Sequence, residues 1–296
     1  MRIASFRDGT GASWGVVMDE RVSDARGLAG SPADVRALLE DADPQQWLAA
    51  LAAAGAPGWR DLDSVVLLPP VRPSQDVIAL GLNYIQHVDE TTATTRQFTP
   101  PKHPILFGKA ATSVTGPYDD IRVDRSLTTQ VDWEVELALV IGRPGRDIPT
   151  SRALDHVFGY TVGNDVSARD LQFLDGAQWY RGKSLDTFCP LGPWIVTRDE
   201  IGDGRGLHIE LRVNGMVKQS GSTDELIFDI PAIIASASAG RTLLPGDVIL
   251  TGTPGGVGFS RTPPEFLADG DEVEAEIERI GVVRNSVRFV LPASSR

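Results

Sequence analysis

From residue 74 onward the chain breaks into many short apolar runs punctuated by Gly, Pro and Asp, a rhythm that leaves little room for helices. The stretches 77–80, 133–141, 160–162, 194–196, 208–213, 248–251 and 273–277 read as strands, and 225–237 is the best candidate helix. No regular alternation of strand and helix appears. The pattern therefore predicts an α+β, mostly β domain, built as a mixed β-roll or distorted barrel rather than a doubly wound sheet.

Residues 1–70 read as a smaller α+β unit. Two apolar-rich runs, 2–6 and 14–18, flank Asp8-Gly9-Thr10-Gly11, a glycine-rich turn suited to a hairpin. The stretch 31–54 opens on Ser31-Pro32-Ala33-Asp34, a helix start, and continues Ala- and Leu-rich. Residues 66–73 carry too much proline for a helix or a central strand, so they are expected to link this unit to a catalytic domain over 71–296.

Composition then removes several function classes. A net charge of −12 disfavours nucleic-acid phosphate binding, which needs a basic face. The single cysteine, Cys189, cannot form an internal disulfide or a thiolate zinc cluster, so any metal here takes oxygen or histidine ligands. No stretch has the length and apolarity of a leader or a membrane span, and a cytoplasmic protein with no membrane partner is expected.

The run 131–142 alternates with period two, which puts Asp132, Glu134 and Glu136 on one side of a strand and Trp133, Val135 and Leu137 on the other. Two carboxylates so placed could hold a hard cation. The run 272–278 shows the same alternation, and its simplest reading is an exposed strand with a solvated acidic face. Spacing does not separate the two cases. The first run, however, continues into 137–141, where the glutamate-bearing side becomes Ala138 and Val140, so it is expected to enter the interior. Acids there need a partner or a metal, and on the residues alone an ion-paired strand is the better reading.

Several blocks together carry a resemblance. Residues 81–90 run Gly-Leu-Asn-Tyr-Ile-Gln-His-Val-Asp-Glu, and 132–137 run Asp-Trp-Glu-Val-Glu-Leu. Residues 159–172 run Gly-Tyr-Thr-Val-Gly-Asn-Asp-Val-Ser-Ala-Arg-Asp-Leu-Gln, and 181–193 and 245–254 add Arg-Gly-Lys-Ser-Leu-Asp-Thr-Phe-Cys-Pro-Leu-Gly-Pro and Pro-Gly-Asp-Val-Ile-Leu-Thr-Gly-Thr-Pro. In this order, across 77–290, they resemble the fumarylacetoacetate hydrolase family, in its acylpyruvase-like branch.

The resemblance implies Glu134, Glu136 and Asp165 as metal ligands. Such an all-oxygen set suits Mg²⁺ or Mn²⁺, and Ca²⁺ less well. It also implies a base in His87, three residues before Glu90, which would orient it. Lys183 is placed near the metal, where its ammonium would stabilise a developing enolate. The stretch 176–184 looks like a phosphate-binding loop, but five residues separate its glycines where four are required. Arg169 and Gln172 follow Asp165 by four and seven residues, so a helical turn would keep all three on one side, and the resemblance implies that Arg169 and Gln172 contact substrate oxygens. Tyr84, Lys109 and Thr253 are likewise implied at the substrate. The turn 252–256 could offer backbone N–H groups to a carboxylate. Two departures bear on substrate choice: Ala110 stands where the family has proline, and 91–101 is long and threonine-rich.

The implied activity is divalent-metal-dependent hydrolysis of a C–C bond in an acylpyruvate-like 2-oxo acid or β-dicarbonyl compound, through a metal-bound enolate. The alternatives are an isomerase, decarboxylase or hydratase using the same site, and a non-catalytic metal-dependent binder, against which His87, Glu90 and Lys183 together argue. The expected partners are a small-molecule substrate and a second copy in a homodimer.

Overall fold

The computed structural model describes residues 1–53, 56, 58–95 and 101–290. Its centre is a twelve-stranded mixed sheet. Cys189–Thr197, Val157–Asn164, Val135–Ile141, Val248–Leu250, Val77–Gly81 and Ile105–Lys109 lie side by side in that order, with the Val248–Leu250 and Val77–Gly81 pair parallel. A second sheet of five strands runs Met216–Ser222, His208–Val213, Glu272–Ile277, Gly281–Val290 and Ile121–Asp124. The fold is mostly β, as expected, and the sheets are not closed into a barrel.

The hairpin forms as the turn chemistry predicts, with Arg2–Asp8 antiparallel to Gly11–Met18. Arg2–Asp8 also pairs with Cys189–Thr197, so one sheet runs from the N-terminal segment into the main body. The expected helix over 31–54 is two helices. Asp34 caps Val35–Glu40 by accepting from the Ala37 N–H at 2.8 Å, and Pro44 opens Pro44–Ala52, where a missing N–H costs nothing. Part of the expected linker is a strand, Val66–Leu67, paired with Arg2–Asp8. The helix expected from Glu225 starts later, at Ile230, capped by Asp229.

Val135–Ile141 is buried along its whole length. Its odd-numbered residues, Val135 through Ile141, pack into the core shared with Ile209, Val273 and Ile277 of the second sheet. Ala138 and Val140 face the other way, into a core with Leu38, Leu48 and Ile195. Glu136 is therefore an acid in an apolar row. By contrast, Glu272–Ile277 buries only Val273, Ala275 and Ile277, while Glu274 and Glu276 pair with Arg284 and Arg212 at 2.9 Å, the solvated acidic face expected of it. No helix among the described residues is long and apolar enough to cross a membrane.

Candidate active site

Strand register assembles the carboxylates. Val157–Asn164 runs antiparallel to Val135–Ile141 with Val135 opposite Asn164, which sets Asp165 beside Glu134. The Asp165 N–H donates to the Glu134 carbonyl at 2.8 Å, and the Glu134 N–H donates to Asn164 Oδ1 at 3.0 Å. Glu134, Glu136 and Asp165 are all buried, and each offers an oxygen within 4.8 Å of the others.

Lys183, at the end of the short helix Trp179–Lys183, donates from Nζ to Glu134 Oε2 at 2.8 Å and Asp165 Oδ2 at 2.7 Å. Lys109 lies behind the triad, fully buried, donating to Asp165 Oδ1 at 2.6 Å and to the Val166 and Lys183 carbonyls. Arg169 reaches Asp132 Oδ2 through Nε at 2.8 Å, Glu134 Oε1 through Nη2 at 2.7 Å and Gln172 Oε1 through Nη1 at 2.9 Å.

Four buried carboxylates thus face three buried cations, and the charge left over falls on Glu136. Its Oε2 accepts the Gly252 N–H at 2.6 Å, while its Oε1 is buried with no hydrogen-bond partner. Burial, then Asp165 and Glu134, push its carboxyl far above the usual carboxylate range. Burial also opposes ionisation of Glu134, but Lys183 and Arg169 outweigh it and hold that carboxyl well below the usual range. An orphaned carboxylate oxygen in an all-oxygen cluster short of one positive charge fits a divalent cation.

Helix Ile85–Thr95 sets His87 and Glu90 one turn apart. His87 Nδ1 lies 2.8 Å from Glu90 Oε1, and Glu90 Oε2 accepts the Gly256 N–H at 2.8 Å. The helix carries the first part of the threonine-rich stretch; residues 96–100 lie outside the described residues.

His87, Glu134, Arg169, Gln172, Lys183 and Thr253 share one narrow cleft. Aromatic rings form its walls: Phe107 packs edge-on to Trp179 at 5.2 Å, and Phe259 covers the Arg169 guanidinium at 4.4 Å. Tyr84 is buried away from this cleft. Its hydroxyl has no partner, and burial followed by the Glu136 charge pushes its ionisation upward. Asp165 precedes the helix Arg169–Gln172 instead of lying on it, so the expected shared helical face holds only for Arg169 and Gln172. The turn 252–256 does offer N–H groups to carboxylates, but Gly252 and Gly256 give theirs to the protein's own Glu136 and Glu90.

Sequence reasoning missed Gln219, whose amide accepts from the Val135 N–H at 3.0 Å and donates to Thr253 Oγ1 at 2.7 Å and the Pro254 carbonyl at 2.8 Å. Nothing in its local sequence marks it. It also missed the closeness of Gly182 to Gln172. A Cβ on Gly182 would lie 2.6 Å from the Gln172 backbone nitrogen, so no side chain fits there. Gly182→Ala is expected to force the two short helices apart, lowering stability by about 1–3 kcal/mol, the cost of overpacking. Thermal melts check it.

The Fumarylacetoacetate (FAA) hydrolase C-terminal model matches residues 76–288. The human mitochondrial oxaloacetate tautomerase FAHD2A is 49% identical over 224 residues, 75% of this chain and 69% of that protein. The oxaloacetate tautomerase YisK of Bacillus subtilis is 44% identical over 227 residues, 76% of this chain and 74% of that protein. Among solved structures, the fumarylacetoacetate hydrolase of psychrophilic Exiguobacterium antarcticum superposes with a TM-score of 0.83 at 38% identity, covering 98% of this chain and all of that one. The family match over most of the chain, these identities and the superposition along nearly its whole length show that the chain belongs to the fumarylacetoacetate hydrolase family.

Proposed function

We propose that this chain is a divalent-metal-dependent enzyme that interconverts the keto and enol forms of a small dicarboxylic 2-oxo acid, with oxaloacetate the leading candidate. The observation that carries this reading is His87, whose Nδ1 is taken up by Glu90 and whose ring lines the cleft shared by Lys183, Arg169 and Gln172. Two relatives named as oxaloacetate tautomerases support the choice of substrate.

Tautomerisation needs one group that removes and returns a proton at the carbon beside the keto group, and a way to stabilise charge on the keto oxygen. A divalent cation held by Glu134, Glu136 and Asp165, Mg²⁺ or Mn²⁺ by the donor set, supplies Lewis-acid polarisation when bound. Glu90 accepts the proton on His87 Nδ1, which leaves Nε2 as the lone pair that takes the carbon-bound proton. Lys183 uses two of its N–H groups on Glu134 and Asp165 and keeps a third for the keto oxygen. Gln172 gives its carbonyl oxygen to Arg169, which turns its amide N–H₂ toward a substrate carboxylate.

Hydrolysis of a C–C bond is the second reading, supported by the similarity to the Exiguobacterium enzyme along almost the whole chain. There His87 would activate water instead of a carbon-bound proton. We also propose a homodimer and a division into residues 1–70 and 71–296, the division supported by the start of the family match at residue 76. Mn²⁺-loaded protein is incubated with enol oxaloacetate and with acylpyruvates, and enol absorbance and product mass are followed. Loss of absorbance with unchanged mass is expected. Two fragments that together gain one water would replace this reading with hydrolysis.

A further inference from the structure

Asp132 is the fourth buried carboxylate of the cluster, and it stands outside the three that converge on the candidate cation site. Its Oδ1 accepts the backbone N–H groups of Trp133 at 2.8 Å and Gly258 at 2.7 Å. Its Oδ2 accepts the Phe259 N–H at 3.0 Å and Arg169 Nε at 2.8 Å. Four donors on two oxygens fill the capacity of a carboxylate, so this side chain has nothing left to give a metal.

Gly258 and Phe259 belong to the same loop that serves the other two arms of the site. Gly252 donates to Glu136 and Gly256 to Glu90, so backbone N–H groups of residues 252–259 hold a candidate metal ligand, the carboxylate that orients His87, and Asp132. The loop packs closely at Gly256, which has φ +106° and where a Cβ would lie 2.2 Å from the Lys218 carbonyl oxygen. Asp132 therefore ties Arg169 to this loop.

Arg169 has two carboxylate partners, Asp132 and Glu134. If Asp132 lost its charge, the guanidinium would lean on Glu134 alone and compete with a cation for that ligand. It would also be free to turn away from Gln172 and Phe259, which now fix its edge and its face.

We propose that Asp132 is a positioning residue, tied to the loop 252–259, that aims Arg169 at the substrate carboxylate and, as the arginine's second acid, keeps Glu134 available to the cation. The proposal rests on the functional reading above only for the identity of the anion that Arg169 and Gln172 receive.

Asp132→Asn tests it, since the amide keeps an acceptor for Gly258 but turns a donor toward Arg169. Two affinities are measured by calorimetry. One is for Mn²⁺ alone. The other is for dimethyloxaloacetate on Mn²⁺-saturated protein, an analogue with both protons beside the keto group replaced by methyls, so that binding is read without enolisation, product mass confirming that the analogue stays intact. Both dissociation constants are expected to rise about tenfold, the usual scale for removing a partner of a metal ligand. In an Arg169→Lys background, Asp132→Asn should add less than about twofold to either, as befits a residue that acts through another. Both constants within about twofold of wild type, or an equal multiplication in the two backgrounds, would overturn the proposal.

Should Asp132→Asn not fold, Phe259→Leu uncovers the same guanidinium while keeping its own N–H on Asp132. A rise of about threefold or more in the analogue constant with Mn²⁺ affinity unchanged supports a held arginine, and an unchanged analogue constant refutes it. Failure of the two readings is separable. Wild-type protein that binds the analogue in an Asp132-dependent way but does not turn over oxaloacetate counts against the functional reading alone. Normal turnover with no effect of Asp132→Asn counts against this inference alone.

Discussion

Replacing Glu136 by glutamine is expected to abolish divalent-cation binding and, in metal-free protein above neutral pH, to raise the melting temperature. Glu136 is fully buried with one oxygen orphaned, and neither Lys183 nor Arg169 hydrogen-bonds to it. A buried carboxylate without a counter-charge is costly. Glutamine keeps an acceptor for the Gly252 N–H and turns an N–H₂ toward the acids beside it, Asp165 and Glu134. The expected gain is about 1–3 kcal/mol, the usual penalty of an unsatisfied buried polar group.

The pH dependence has a definite sign. Burial and the neighbouring acids raise the Glu136 carboxyl in the folded state above its unfolded value. Its contribution to folding is thus complete below the ordinary carboxylate range and is lost as pH rises through the raised value. The two metal-free proteins should melt together in acid and separate as pH rises. Saturating Mn²⁺ reverses the order, because only wild type gains from binding, by about 4.1 kcal/mol at a thousandfold excess over Kd. Melts across pH with and without Mn²⁺ check each part, and full Mn²⁺ affinity in Glu136→Gln would remove Glu136 from the ligand set.

The residues that sequence analysis found and those it missed differ in the range of their interactions. His87 and Glu90 are three apart on one helix, so their pairing follows from local geometry. Arg169 and Gln172 are legible for the same reason. The alternation of 131–142 looked identical to that of 272–278, because period two reports which residues share a side and not what lies on each side. Val135–Ile141 turned out to have a core on both faces, one supplied by the second sheet and one by the N-terminal helices. Ala138 and Val140 mark its entry into the interior, but no local pattern says which elements supply the two cores. The same holds for the hydrogen bonds that hold the site. Gly256 meets Glu90 across 166 residues and Gly258 meets Asp132 across 126, contacts that exist only once the strands have found their register. Lys109, which the family resemblance implies at the substrate, is fully buried with its ammonium on Asp165, a contact across 56 residues that no local spacing shows.

His87→Ala is the variant expected to separate proton transfer from binding. His87 is nearly buried, paired with Glu90 through one nitrogen, and makes none of the contacts that bring the three carboxylates together. Its removal should leave Mn²⁺ affinity and the binding of dimethyloxaloacetate close to wild type. Turnover should fall by about 10²–10⁴, the usual contribution of a positioned general base. A drop in kcat with little change in KM is the signature of an interaction made chiefly in the transition state. Exchange of the protons beside the keto group with deuterated solvent, followed by NMR, reports the step directly and should slow in parallel with kcat. Glu90→Gln should cost less, because the amide oxygen still accepts from the imidazole and keeps the ring oriented. If exchange survives in His87→Ala at the wild-type rate, another group takes the proton.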